Sequence, residues 1–496
     1  MEAKNEQIEE IRKEVEKMIE NIRQNAESGD RVDRVERQVF ASLIKLGLQL
    51  VRLYFSLLAQ SPACREVSNR LLKRGWQSKG LFKGVYWSVF GKLELWRSRY
   101  FPNGGGGGEC PLDEVAGLPE QCYSYVLEDW LDVAGAQTDY RQAAAQIERI
   151  LGHSFAGMVA QRSVGRLSEE VEAYYEDRDW TALQEEGAVL CAGFDGKGVP
   201  IVSAEREGEP CSKAARLGKG QRRGTKKEAT LSVSFSLERQ VRTPEAVGAS
   251  LFRPAQEAPP QPPQRGNWSQ NRHVRAFLSD TRKAVEYGIG NLLERDPTGT
   301  KPLVFLMDGA PSLRKAVDEC VRSKGLEERV AAKILDIIHL LEYVWDVANA
   351  VWGEKHPGRE KWVEGQLMHL LESRSDEVLR SWNCFLEKRQ LGENARKAIQ
   401  KSITYLSNHQ DMTDYKAYLA QGLPISTGII ESACGHLVKA RMEQSGMRWG
   451  RTGAQSVMDV RAVYQNKDWE DFMEYAILKE QKRIYPESKH LILKRA

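Results

Sequence analysis

The stretch Lys301-Pro-Leu-Val-Phe-Leu-Met-Asp308-Gly309 decides the reading of this chain: an unbroken apolar run, bounded by a proline and closed by an acid and a glycine. It is too short for a core helix and lacks polar alternation, which fits a strand buried on both faces of a sheet. Downstream, Pro311 opens a helix at its first position, and Ala331-Ala-Lys-Ile-Leu-Asp336-Ile-Ile-His339-Leu340 supplies a second short apolar run. Upstream, residues 271–294 read as a helix. Strand, helix, strand in this order builds an α/β sheet. Ligands gather at the carboxyl ends of parallel strands in such sheets, and that is where Asp308 falls.

Further upstream, Gly187-Ala-Val-Leu-Cys-Ala-Gly-Phe194, then Gly198-Val-Pro-Ile-Val-Ser-Ala204, then Glu228-Ala-Thr-Leu-Ser-Val-Ser-Phe-Ser-Leu237 read as three hairpin-linked strands, with a turn at Asp195-Gly-Lys-Gly198. Residues 206–227 carry eight cations (Arg206, Lys213, Arg216, Lys219, Arg222, Arg223, Lys226, Lys227) against Glu207 and Glu209. Interleaved with glycines, they form the chain's strongest electrostatic footprint for nucleic acid, the plain alternative being a solvated loop. The proline-rich segment 254–266 reads as a linker or exposed loop. From His339 to Leu423 no strand signal occurs, and Trp345 reads as core of this helical block. Ser426-Thr427 cap a helix, GIIESACGHLVKARME, ahead of Gly446-Met-Arg-Trp-Gly450.

The first half is helical and basic in patches. Ile8, Ile11, Val15, Met18 and Ile22 follow three- and four-residue steps, the mark of either a dimerisation coiled coil or a helix packed on its own domain. A long helical stretch runs from Val32 to Leu72. Gly84 to Phe101 reads as a β-hairpin turning about Gly91-Lys92, with Lys92, Arg97 and Arg99 either facing phosphates or decorating an ordinary hairpin. Five glycines at 104–108 mark a joint. Two helices meet at Gly152 in a helix-turn-helix or simple αα-hairpin pattern, whose second helix would offer Gln161, Arg162, Ser163 and Arg166 to a major groove.

With 496 residues, 41% apolar and 28% charged, the chain has the composition of an ordinary globular protein of several domains. A formal charge of +3 puts any nucleic-acid signal in local patches. Eight scattered cysteines with no C-x-x-C pair support neither a zinc ribbon nor a disulfide framework. The N-terminus lacks a signal-peptide core, and the greasiest stretch, 40–60, is interrupted by Lys45 and Arg52, so no export and no membrane span are expected.

Metal-assisted phosphodiester cleavage needs converging carboxylates, whose oxygens hold divalent ions against the attacking and leaving oxygens. Asp195 closes an apolar run, Asp308 ends the KPLVFLM strand, and Glu431 lies in the first turn of a later helix, sharing a face with Cys434 and Val438. Asp195-Gly196 and Asp308-Gly309 are also ordinary turn signals. A carboxylate on an apolar helix face needs a partner, and a metal would be one.

The order Asp195, Asp308, Glu431 with a helical block before the last, together with LDIIHLLEYVW, GLPISTGIIESACGHLVKAR, GMRWG and CPLDEVAGLPEQCYSYVLEDW, resembles bacterial insertion-sequence transposases of the ISKra (Kra-four) group over residues 80–475. The resemblance implies a DDE transposase with an RNase H-like catalytic core. Asp195, Asp308 and Glu431 would bind two Mg²⁺, with Mn²⁺ able to substitute. Asp336 and His339 match a D-x-x-H element, with Asp336 supporting and His339 orienting the scissile phosphate or acting as a satisfied histidine at a strand end. Arg448 and Trp449 would pair a phosphate and stack a base near the transposon end. The linker at 254–266, the glycine run and the lack of paired upstream cysteines depart from the family pattern.

The expected fold is therefore multidomain α/β: an RNase H-like mixed sheet interrupted by an all-helical insertion, with helical and β-hairpin N-terminal DNA-binding regions. The expected segments are 1–75 (helical), 76–135 (hairpin and glycine joint), 136–185 (helix-turn-helix-like), 186–338 (first part of the core), 339–424 (helical insertion), 425–475 (second part of the core) and 476–496 (tail). The expected function is to bind terminal repeats, cleave at the element ends and transfer 3′-hydroxyls to target DNA. A homodimer or higher oligomer on double-stranded DNA in the bacterial cytoplasm would do this. The alternatives are an RNase H-like nuclease without joining activity and a transposase-derived DNA-binding protein.

Overall fold

The computed structural model describes residues 2–182, 186–202, 226–252, 269–388, 390–444 and 447–488. The chain is mixed α/β and divides into two compact units, one of residues 1–176 with 467–496 and one of 177–466. The last segment of the chain thus belongs with the first, and the boundary at 466/467 precedes the expected 475.

In the first unit, α1 (Glu2–Ser28) folds back on α2 (Val32–Leu58), tied near the turn by Asn25 Nδ2 to Gln38 Oε1 at 2.8 Å. The expected single helix to Leu72 is broken: Ser61 caps a separate α3 (Pro62–Lys73), because its hydroxyl accepts the Cys64 N–H and Pro62 pre-sets the first turn. Strands β1 (Gln77–Ser88) and β2 (Gly91–Phe101) form the hairpin, and its turn lies at Val89-Phe90 rather than at Gly91-Lys92, since Ser88 pairs with Gly91. Helices α4 (Pro111–Ala116), α5 (Tyr125–Gln137), α6 (Tyr140–Leu151), α7 (Gly157–Ser168) and α8 (Val171–Glu176) follow. Gly152 ends α6 at φ +72°, as the sequence requires. The helix Trp469–Ile484 completes this unit: Phe472 is fully buried against Tyr174, and the Trp469 indole N–H donates to Asp129 at 2.6 Å.

The second unit is built on a five-stranded sheet, β3 (Val189–Pro200), β4 (Lys226–Leu237), β5 (Gln270–Leu278), β6 (Leu303–Met307) and β7 (Val330–Leu335), in the order β5-β4-β3-β6-β7. The pairs β3/β4 and β4/β5 are antiparallel; β3/β6 and β6/β7 are parallel. Two expectations are corrected. Asp195-Gly-Lys-Gly198 is no turn, because β4 pairs with β3 without a break from Pro200↔Lys226 to Val189↔Leu237. The expected helix at 271–294 starts as β5, whose inward polar side chains hid the strand pattern: His273 and Arg275 are buried, Arg275 pairing with Asp459 at 2.9 Å.

Helices cover both faces: α9 (Pro244–Leu251), α10 (Thr281–Arg295), α11 (Pro311–Ser323), α12 (Ile337–Trp352), α13 (Arg359–Leu371), α14 (Ser375–Lys388), α15 (Glu393–Asn408), α16 (Tyr415–Ala420), α17 (Gly428–Cys434), α18 (Ala440–Met442) and α19 (Arg451–Gln465). The alternation in β4 explains one face. Ser232 and Ser234 lie beneath α10, where a Cβ on Gly288 would strike Ser232, and Ser234 donates to Asn291 at 2.6 Å, so small residues let helix and sheet approach closely. The outer edge of β5 is paired by side-chain amides of α19: Gln455 with Leu278 N–H and Ala276 carbonyl, Asn466 with Val274 N–H and carbonyl. That leaves few open edge groups. Between His339 and Leu423 the described residues are helical, without a strand. Trp382 is buried in this block, while Trp345 is half-buried beneath the Arg359 guanidinium.

Candidate catalytic site

The register of the three parallel strands sets the site. Phe194 pairs with Met307 and Met307 with Leu335, so the next residue on each strand, Asp195, Asp308 and Asp336, stands at one level across three neighbours. Asp195 shares its sheet face with Gly193, where a Cβ would overlap Ile430 of α17. That glycine lets α17, the carrier of Glu431, sit directly on β3.

Asp195 is half-buried. Burial raises its carboxyl above the usual range and the neighbouring Asp308 charge adds to this, while the buried Cys434 thiol donates to it and Lys439 pulls the other way. Burial, and then the same contact, push the Cys434 thiol up to about 12. Asp308 Oδ1 accepts the Ala310 N–H at 2.8 Å, and its carbonyl accepts the Tyr405 hydroxyl at 2.6 Å. Gly309 has φ +83°, and a Cβ there would lie 2.7 Å from the Tyr405 oxygen and 2.9 Å from Leu335, so only glycine turns the chain here.

Asp336 is buried and already committed. Its N–H donates to the Met307 carbonyl at 2.9 Å, Oδ1 accepts the Ile338 N–H as the N-cap of α12, and Oδ2 accepts the Thr427 hydroxyl. Thr427 therefore does not cap α17 with its side chain, as the sequence suggested; it ties the start of that helix to the end of β7. His339 is half-buried in the first turn of α12 rather than at a strand end, edge-on to Tyr343 and Tyr405, with Nδ1 3.6 Å from Glu342. Tyr343 and Tyr405 stack at 3.9 Å and 12°.

Glu431 is exposed, although Cys434 and Val438 beside it are buried. A π turn at Gly435–Lys439 takes Val438 off the α-helical spacing that aligned it with Glu431, and within the regular helix before it Cys434 is buried while Glu431 stays open. Partial burial raises the Glu431 carboxyl, and the charges of Asp336 and then Asp195 add to it. The acids thus feel one another's charge, yet among the described residues no three His, Cys, Asp or Glu side chains stand close enough to hold an ion as they are.

The remaining candidates scatter. Arg216, Lys219, Arg222 and Arg223 lie outside the described residues, as does the proline-rich segment 254–266. Lys226 and Lys227 begin β4, and Lys226 pairs with Glu443 at 3.0 Å. Arg448 is exposed, but Trp449 is buried, bridged to Ile201 at the end of β3, with the Arg441 guanidinium 4.6 Å over its ring, so it is core and not a stacking platform. Within the first unit, Arg162 is exposed, whereas Ser163 is buried on Asp132 and Arg166 pairs with Glu128, which turns half of the expected reading face inward. Arg97 pairs with Asp113 at 2.6 Å. Lys439 and Tyr405 went unread in the sequence, where they look like ordinary helix residues, and Thr427 was read only as a cap; the fold brings all three to the acids. No family model matches the chain, and no curated protein matches it either.

Proposed function

We propose that the protein is a DDE-type DNA transposase with an RNase H-like core, and that Asp195, Asp308 and Glu431 are its catalytic acids. The observation carrying this is the sheet: three antiparallel strands continued by two parallel ones, with Asp195 and Asp308 adjacent at the end of their shared ladder and α17 bearing Glu431 seated on Gly193. The donor set suits Mg²⁺, which takes oxygen ligands and is commonly held by one or two carboxylates plus substrate phosphates rather than by a complete protein cage. The Asp195 and Glu431 carboxyls, raised by burial and further by neighbouring acids, fit the same reading, since a cation among these charges would relieve the repulsion. When bound, such ions make the attacking oxygen more acidic and neutralise the leaving one.

The protein's own groups supply position. Thr427 and Asp336 fix the helix that carries Glu431, and Tyr405 fixes the Asp308 backbone. Lys439, exposed and near enough to Asp195 and Glu431 to pull their carboxyls down, suits a phosphate beside the acids, Arg448 is a further exposed cation, and His339, beside Tyr405, would orient the scissile phosphate.

The test is a labelled duplex of the DNA flanking the gene, incubated with Mg²⁺ or Mn²⁺ and either the protein or Asp308→Asn. Metal-dependent 3′-end nicking and joined products, lost in the variant while binding persists, are expected. Cutting without joining would favour the nuclease reading, and binding without cutting the transposase-derived DNA-binding protein. If Asp308→Asn abolishes binding as well, Asp308 is structural and the assignment fails.

A further inference from the structure

Beside the acids lies a second charged cluster, of which the proposed chemistry uses only Lys439. Lys197 stands two residues beyond Asp195 on β3, on the same face of the sheet and about 7 Å along the strand. Lys439 sits one helical turn before Glu443, whose N–H donates to the Lys439 carbonyl at 3.2 Å. Lys226 opens β4, and its stem passes over Gly198, where a Cβ would lie 2.9 Å from it, so the missing side chain gives the lysine its route. Glu443 gathers two of these cations at once: Oε1 accepts from Lys226 at 3.0 Å, and Oε2 stands 3.7 Å from Lys197. Lys226 above all, then Lys197 and Lys439, hold the Glu443 carboxyl below the usual range. The same Lys439 pulls on Asp195 and Glu431, so cluster and acids share one electrostatic neighbourhood.

Two properties of this carboxylate matter. It is a monoanion whose two equivalent oxygens each face a different ammonium group, as the two non-bridging oxygens of a phosphodiester would. Its bonds are also easily exchanged, because the Lys226, Lys197 and Glu443 side chains keep 54%, 29% and 28% of their surface in water, and such wet ion pairs add little to stability. We propose that Glu443 is an internal stand-in for a substrate phosphate: it occupies Lys197 and Lys226 in the free protein and yields them to a DNA phosphate seated beside Asp195. A duplex must then displace the carboxylate before it gains these contacts, so Glu443 acts as a built-in competitor that weakens binding at every sequence alike. This assignment rests on the DNA reading above. The plain alternative is that Glu443 only ties the end of α18 to the strands.

The experiment is a gel-shift titration of the labelled flanking duplex over a salt series, using the full chain as wild type, Glu443→Gln, Lys197→Gln/Lys226→Gln and the triple combination. Glu443→Gln should bind about 5-fold more tightly, the gain expected from freeing a wet ion pair. The lysine double variant should bind more weakly, with a salt slope shallower by about 1, as loss of one phosphate contact implies. In that lysine-free background Glu443→Gln should change little, because its effect runs through those two side chains. Glu443→Ala gives an independent reading should the Gln variant lose helicity by far-UV circular dichroism. A gain that persists without the lysines is a general charge effect and overturns the proposal. Unchanged affinity with a lowered unfolding midpoint overturns it too, and leaves Glu443 as a tie for α18. A wild type that binds no duplex sinks the DNA reading and this assignment together, whereas a wild type that binds and a Glu443→Gln protein that binds no better sink this assignment alone.

Discussion

At the scale of single residues, Asp195 holds a strained position in electrostatic terms. Burial and the adjacent Asp308 raise its carboxyl, so in the folded state its ionised form is disfavoured relative to the unfolded chain. Stability from such a group is full below the unfolded pKa and is lost as pH rises through the folded one. Asp195→Asn, which keeps an oxygen to accept the Cys434 thiol, should therefore raise the unfolding midpoint at pH 7, and the gain should vanish below about pH 4, where both states are protonated. A midpoint that falls at pH 7 would contradict this. Added Mg²⁺ should stabilise the wild type and not the variant. Gly309 is constrained by shape instead: Gly309→Ala forces a Cβ onto Tyr405 and Leu335 at a left-handed φ, and urea unfolding should show a loss of ~1–3 kcal/mol.

At the scale of elements, the hydrogen bond between Thr427 and Asp336 joins three pieces: the end of β7, the start of α12 and the start of α17. Thr427→Val keeps the shape but leaves a buried carboxylate oxygen without a donor, which costs about 1–3 kcal/mol. Because α17 carries Glu431, cleavage should fall well beyond what that loss of stability explains, with duplex affinity unchanged in a gel-shift titration. How far the sequence revealed this region follows from its chemistry. The KPLVFLM strand was plain, because a parallel strand buried on both faces is uniformly apolar, and the edge strand β7 was legible from its short apolar run although Lys333 reaches out of it to Asp318. β5 was hidden because Arg275 and His273 point inward, satisfied by residues far along the chain such as Asp459. The Asp195-Gly-Lys-Gly198 stretch looked like a turn because Asp-Gly is the strongest local turn signal, and only pairing with β4 along its whole length overrides it. The proposed acids Asp195, Asp308 and Glu431 were singled out by their order and by the resemblance, whereas the contacts around them are set by register and a π turn, neither of which leaves a local mark.

At the scale of the whole molecule, the two units carry different pH responses. In the first unit, burial raises Glu128 to about 7 despite its pairing with Arg166. Proton uptake there stabilises the folded unit fully below the ordinary Glu range, and this contribution fades as pH rises towards 7. The unit should accordingly be more stable at pH 5.5 than at pH 8, by on the order of 2–3 kcal/mol, a difference that Glu128→Gln should flatten in chemical unfolding followed by tryptophan fluorescence. The helix Trp469–Ile484 belongs to the same unit through Phe472, Trp469 and the Tyr485 hydroxyl on the Leu118 carbonyl. Removing residues 467–496 should thus unfold the first unit and expose Tyr174 while sparing the five-stranded sheet, which hydrogen exchange resolved by segment would report.

That return of the chain to its starting unit also fixes an order of events during synthesis. Domains usually fold as they emerge, the N-terminal one first. Here the first 176 residues are made early but lack the helix that buries Tyr174 and engages Asp129 until residues 469–484 appear. The sheet of residues 177–466 is complete in sequence before that helix exists. The unit read first from the message is finished last, and its exposed aromatic surface must wait, open to chaperones or to the nascent chain of a neighbouring ribosome, for the whole sheet unit to be translated.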